Sequence, residues 1–165
     1  MLVITLSSVP PRFGKIGATL ESLAGQGAEK VLLYIPETYR RFPDWDGTLP
    51  KVPEGVEIRR LDEDFGPATK VLGAAREFRR QDVDLLFCDD DQRYGPGWAQ
   101  TFLDLKARHP GAVIATLGFH AYDAAGGSRA RDLQPRALRR WRVTEQQIDV
   151  LPAELARGAE HLGRG

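Results

Sequence analysis

Three consecutive carboxylates, Asp89-Asp90-Asp91, follow directly on the apolar run Val83-Asp84-Leu85-Leu86-Phe87-Cys88. Carboxylates at the C-terminal end of a buried strand sit where open α/β sheets bind their ligands. Side chains alternate along a strand, so Asp89 and Asp91 project to the same side if the extended conformation persists through them. Two oxyanions held close together repel until a cation bridges them. A divalent metal carrying phosphate oxygens meets this need, because Mg²⁺ commonly combines one or two carboxylates with substrate phosphates. The pattern predicts metal-assisted handling of a phosphorylated substrate.

A second group of residues precedes it: Asp62-Glu63-Asp64-Phe65-Gly66-Pro67-Ala68-Thr69-Lys70. Pro67 suits the first turn of a helix, where its missing N–H would have been unpaired. Gly66 permits a tight turn into that helix, and free amides at a helix start make an anion site. Lys70, one turn in, adds a full positive charge toward a phosphate. A capped helix with a solvated lysine is the plainer reading, but the segment lies one strand before the triple aspartate. The single cysteine, Cys88, excludes an internal disulfide and reads as a small buried hydrophobe.

The elements that must position these residues alternate along the chain. Leu2–Leu6 reads as a buried strand ended by Ser7, Ser8 and the turn pair Pro10-Pro11. Ile16, Leu20 and Leu23 share one helical face, closed by Gly25 and Gly27. Val31–Ile35 is a second strand, stopped by Pro36. Residues 37–55 form a long surface excursion, with Phe42 and Trp45 folded back as cover. Val56–Leu61 alternates as a more exposed strand does. Pro67–Arg80 is predicted helical, with Val71, Leu72, Ala75 and Phe78 as its inner stripe. After the carboxylate-tipped strand come a helix over Pro96–Arg108, buried through Trp98, Phe102 and Leu105, and a strand over Ala112–Phe119. Such alternation predicts βαβ units and a mainly parallel sheet.

At 165 residues the chain is sized for one domain with a real core. Its 23 basic and 23 acidic residues balance, so bulk charge offers no case for nucleic acid or a membrane surface as partner. With no apolar span of membrane length and no basic-then-apolar N-terminus, a cytoplasmic location, peripheral to a membrane at most, is expected.

Four segments carry a family resemblance: Ile4–Phe13 (ITLSSVPPRF), Tyr34-Ile35-Pro36 with Tyr39–Pro43, Asp64–Lys70 (DFGPATK), and Phe87–Asp91 (FCDDD). Together they resemble GT-A-type glycosyltransferases of the family 2 group, nucleotide-sugar enzymes with a DxD metal motif, over residues 2–119. The resemblance implies a GT-A-like, Rossmann-like α/β/α sandwich within one domain spanning 1–165, with 1–119 as its core and 120–165 as an Arg-rich loop and short helical tail. It implies transfer of a sugar from a UDP- or GDP-linked donor to a glycan or other hydroxyl acceptor, as in polysaccharide synthesis. Ser7, Ser8 and Arg12 would lie against the nucleotide. Gly66, Pro67 and Lys70 would face the nucleotide or its phosphates. Asp89 would sit near the ribose or metal, Asp91 would be the firmer ligand of Mn²⁺ or Mg²⁺, and Asp90 would border the donor.

The chain departs from that family beyond Phe119, where acceptor contacts and the base of inverting members generally lie. Only about 46 residues follow, read as lacking clear strands, so the acceptor half is expected to be truncated. Residues 129–142 hold six arginines (Arg129, Arg131, Arg136, Arg139, Arg140, Arg142) against one acid, Asp132, the usual composition of a solvated face. Trp141 is expected to pack on the core. Residues 144–162 are expected to form one or two short helices. Asp123 is the best-placed acid for a base, with Glu145 and Asp149 as alternatives; His120 and His161 are candidate site residues, and His109 reads as a helix-end dipole contact. A catalytically inactive or partner-dependent nucleotide-sugar-binding domain is the alternative function, and a short sheet would leave an edge for an oligomer to cover. Aspartyl phosphotransferases also carry Asp-x-Asp at a strand end, but near the start of the domain and with a Ser or Thr close behind. Gln92-Arg93-Tyr94-Gly95 does not match that, and Ser7-Ser8 stands where a receiver-like domain needs acids.

Overall fold

A computed structural model describes residues 1–110, 112–115 and 149–151. Its elements are β1 (Leu2–Ser7), α1 (Gly17–Ala24), β2 (Lys30–Pro36), β3 (Val56–Leu61), α2 (Thr69–Phe78), β4 (Asp84–Phe87), α3 (Trp98–Arg108), β5 (Val113–Ala115) and β6 (Asp149–Leu151). The chain divides into two compact units after Ala99.

In the first unit, four strands pair in the order β3-β2-β1-β4, all parallel. The α/β architecture with a parallel sheet is therefore as expected. β1 and β2 are continuous apolar runs because both of their faces are covered. β3 alternates, as its sequence requires. The order places β2 on one side of β1 and β4 on the other, so the chain reverses its direction of winding at β1. The C-terminal ends of β1 and β4 thus border a topological switch point, the crevice in which open α/β sheets bind ligands. Their register is set by pairs from Leu2–Asp84 to Thr5–Phe87, and the Cys88 N–H extends it by donating to the Thr5 carbonyl at 2.9 Å.

α1 buries Leu20 and Leu23, with Ile16 just before it, as the periodicity predicts. Of the predicted stripe α2 buries only Phe78. Thr69, Gly73, Ala74 and Phe78 face inward, while Val71 and Leu72 are 36% and 39% exposed and Ala75 is exposed too. Close packing explains the rotation. A Cβ on Gly73 would lie 2.7 Å from the Tyr34 ring, so only the small-residue face lets the helix approach β2 this closely. Val3, Leu32, Tyr34, Ala74 and Phe78 form the resulting core, with Leu61, Val83 and Leu85 against it.

β4 is shorter and less buried than its apolar sequence suggested: only Leu86 is buried within it and Phe87 is 41% exposed, since among the described residues β4 is the edge of this sheet. The excursion after β2 folds back as expected. Tyr39 is buried beneath edge-to-face contacts with Phe13, Phe42 and Trp45, at centroid distances of 6.4, 6.1 and 5.1 Å.

In the second unit, β5 and β6 form an antiparallel pair with Ala115 opposite Asp149. The short-helix expectation for the tail is corrected at residues 149–151, which are strand. Phe102, on the part of α3 in this unit, is buried as predicted. Among the described residues no helix is long and apolar enough to cross a membrane.

Candidate functional site

Parallel strands send every following loop to the same end of the sheet. The loops after β1, β2, β3 and β4 accordingly enclose one cleft of about 390 Å³. Ser7, Ser8, Arg12, Gly66, Pro67, Lys70, Asp89 and Asp90 all line it. Asp91 joins through Arg12, whose Nη1 lies 3.3 Å from Asp91 Oδ2. Asp123, His120, Glu145, His161, Trp141 and the arginines of 129–142 fall outside the described residues. Asp149 opens β6.

The triple aspartate is not extended. β4 ends at Phe87, and Tyr94 folds back on Asp89, its hydroxyl accepting from the Asp89 N–H at 2.9 Å and donating to the Asp89 carbonyl at 3.0 Å. The three side chains take different partners: Asp89 accepts from Lys70, while Asp90 and Asp91 share Arg12 Nη1. Asp90 is the buried member, its side chain only 9% exposed, and it accepts from both Ser8 Oγ and Arg12 Nη1. Thr19 Oγ1 donates to its carbonyl at 3.3 Å. Asp90 therefore ties the loop after β1 to the loop after β4. The side chains of Asp89 and Asp91 are 63% and 54% exposed.

Cationic side chains already counter these acids. Lys70 Nζ donates to Asp89 Oδ1 at 2.5 Å and to the Cys88 carbonyl at 2.6 Å. Arg12 bridges Asp90 and Asp91, and its hydrogen bond to Asp90 is the largest influence raising the guanidinium above its ordinary pKa. In the folded chain Lys70 thus pairs with Asp89, and Arg12 links Asp90 to Asp91. The acids still fit a hard cation by donor type. Asp89 and Asp91 each contribute a carboxylate with lone pairs beyond the one hydrogen bond described. Asp89 and Asp91 are the residues that would hold Mn²⁺ or Mg²⁺. Among the described residues no cluster of three or more His, Cys, Asp or Glu has metal-binding geometry.

The anion site expected from free amides before α2 is not formed. Gly66 adopts φ +58°, and its N–H donates to Asp64 Oδ1 at 2.8 Å. The Phe65 N–H donates to Thr69 Oγ1, the Ala68 N–H to the Phe65 carbonyl and the Thr69 N–H to the Gly66 carbonyl, while Pro67 has none. A 3₁₀ turn over Gly66–Ala68 has consumed these donors. Positive charge in the cleft comes from side chains instead: Lys70, Arg12 and Arg41.

Arg41, Tyr39, Phe42, Asp64 and Thr69 line the cleft without having been singled out as site residues. Their signal was topological: Tyr39–Phe42 and Asp64 follow strands parallel to β1 and must emerge at its end of the sheet. Asp64 latches the two loops, since its Oδ2 accepts the Arg40 N–H at 2.9 Å while Oδ1 holds Gly66. Tyr39 donates to the Ser8 carbonyl at 2.7 Å. Beneath the floor, burial pushes the Cys88 thiol up to about 12, an inert side chain as expected.

Neither a protein-family model nor a curated protein matches this chain.

Proposed function

We propose that the chain is a metal-dependent glycosyltransferase of the GT-A kind, moving a sugar from a UDP- or GDP-linked donor to the hydroxyl of a glycan or other acceptor. One observation carries this reading. The segments that bear the family resemblance contribute residues to a single cleft at the switch point of a parallel sheet. A cleft of about 390 Å³ falls within the usual range for small-molecule sites. It is also chemically two-sided, with hard oxygen donors at Asp89 and, beside it through Arg12, Asp91, and with cations at Arg12, Arg41 and Lys70.

In this reading Ser7, Ser8 and Arg12 border the nucleoside. Arg12, Arg41 and Lys70 compensate the charge of the diphosphate. Asp90 holds the nucleoside loop against the acidic triplet and keeps donor and metal sites in register. When bound, Mn²⁺ or Mg²⁺ at Asp89 and Asp91 supplies Lewis-acid stabilisation of the departing nucleoside diphosphate. The protein side chains orient the donor and spare that charge the cost of reorganising water.

The test is a thermal-shift screen of UDP-, GDP-, CMP- and dTDP-linked sugars, each with Mn²⁺ or with EDTA. Ligand at ten times its Kd stabilises by about 1.4 kcal/mol, a rise of roughly 3–6 °C for a chain of this size. A rise for one nucleotide that requires Mn²⁺ is expected. Equal shifts with Mn²⁺ and EDTA, or none with any donor, would sink the proposal. Metal-dependent binding without sugar transfer to any acceptor would select the inactive or partner-dependent binder.

A further inference from the structure

We propose that Arg12 and Lys70 are resident counter-ions of the acidic triplet, so that the cleft takes up a divalent cation and a nucleoside diphosphate as a pair and each only weakly alone. This rests on the glycosyltransferase reading and concerns how that same cleft is loaded.

The geometry points to exchange. Lys70 Nζ and Arg12 Nη1 lie on the exposed acids that a cation would approach, at 2.5 Å from Asp89 and 3.3 Å from Asp91. A divalent cation entering there meets two like charges and must turn them away. Both side chains can turn. Arg12, on an exposed turn, can leave Asp91 while it keeps Asp90, and Lys70, on its flexible four-carbon stem, gives up Asp89 and the Cys88 carbonyl. Once displaced, they face the same cleft as Arg41, which then holds three cations without the two outer acids as partners. The oxygens of a diphosphate replace what they lost. A diphosphate arriving alone meets the opposite obstacle, because Asp64, Asp89 and Asp90 all border the cleft. Each ligand removes the repulsion that opposes the other, and such coupling is reciprocal by linkage.

This carries a sign that a simple phosphate-binding role lacks. Neutralising Arg12 or Lys70 should tighten Mn²⁺ binding in the absence of nucleotide while weakening binding of UDP or GDP in its presence. For partly exposed charges the change in Mn²⁺ affinity is about three- to tenfold.

The experiment is isothermal titration of the full chain with MnCl₂ alone, with UDP or GDP in EDTA, and with nucleotide in the presence of Mn²⁺. It compares the unaltered chain with Arg12→Gln, Lys70→Met and Arg12→Lys. Near-UV circular dichroism verifies folding, and Arg12→Gln, on an exposed turn, keeps the test decisive if the more buried Lys70→Met misfolds. Expected are at least tenfold mutual enhancement of Mn²⁺ and nucleotide in the unaltered chain, tighter Mn²⁺ alone in both neutral variants, and near-unaltered behaviour in Arg12→Lys. A chain that binds neither UDP nor GDP with Mn²⁺ overturns the donor reading and paired uptake with it. Metal-dependent nucleotide binding alongside unchanged or weaker Mn²⁺ affinity in the folded neutral variants overturns the counter-ion role alone.

Discussion

Replacing Asp90 by alanine removes the acceptor of two donors, Ser8 Oγ and the Arg12 guanidinium, from a nearly buried position. Leaving such groups unsatisfied costs about 1–3 kcal/mol, and urea melts of Asp90→Ala should register that loss. Asp89→Ala and Asp91→Ala act at exposed side chains and should stay within about 0.5 kcal/mol of the parent. Asp91→Ala should nevertheless abolish the Mn²⁺-dependent part of nucleotide binding. Retention of that dependence in a thermal-shift assay would remove Asp91 from the metal site. Chemically identical neighbours thus divide between a nearly buried acid that holds the loops together and two exposed ones. The sequence showed three acids in a row and a strand leading to them. It favoured the outer pair by strand alternation, whereas the outer pair lies exposed in the turn closed by Tyr94. The outer pair was selected by a geometry that the chain does not adopt.

At the scale of elements, α2 shows how packing can override periodicity. Val71 and Leu72 are the larger apolar residues, yet Gly73 and Ala74 face the sheet because β2 presents the bulky Tyr34 there. Tyr34 cannot swing clear, being buried with its hydroxyl donating to Glu77 at 2.7 Å. Gly73→Ala should therefore destabilise by about 1–3 kcal/mol through overpacking, although alanine favours an isolated helix by about 1 kcal/mol. Urea denaturation decides between the two; a stabilised variant would mean that the helix stands farther from β2. Leu72→Ser, on the outward face, should change stability by no more than about 0.5 kcal/mol. Lys70 is the second residue of the same element, and its place one turn after Gly66-Pro67 was legible because that pair marks the opening. The partner it takes was not. Lys70 reaches Asp89 because the end of β4 lies beside the opening of α2.

For the whole molecule, alkaline pH reports on burial. Burial raises the pKa of Cys88, and also those of Tyr34, Tyr39 and Tyr94. Each group thus favours folding while the unfolded chain is still protonated. That contribution is complete below the unfolded values of about 8.5 for cysteine and 10 for tyrosine. As pH rises past them the unfolded chain sheds protons that the folded chain keeps, and stability falls by about 1.4 kcal/mol per pH unit for each group engaged. Denaturant midpoints should hold between pH 7 and 8 and decline above about pH 9. Native Cys88 should also resist iodoacetamide at pH 8 and react once unfolded; rapid alkylation of the native chain would contradict its burial. With zero net formal charge, positive potential in the cleft is a local contribution of Arg12, Arg41 and Lys70 rather than of the molecule's overall field.

The sequence by itself determined the local features: apolar runs that must be buried strands, one helix face at Ile16, Leu20 and Leu23, turns at Pro and Gly, and acids at the close of β4. These follow from interactions between residues close in the chain, which hydrophobic period and backbone preference record. Only the tertiary structure decided what meets what. The β3-β2-β1-β4 order brought loops that are dozens of residues apart to one switch point, buried Asp90 rather than its neighbours, and used the amides before α2 internally. It also set Arg12 and Lys70 against the acids and brought Tyr39, Arg41, Phe42 and Asp64 into the cleft. Each of these outcomes depends on pairing between distant segments, and no periodicity within a segment encodes its partner.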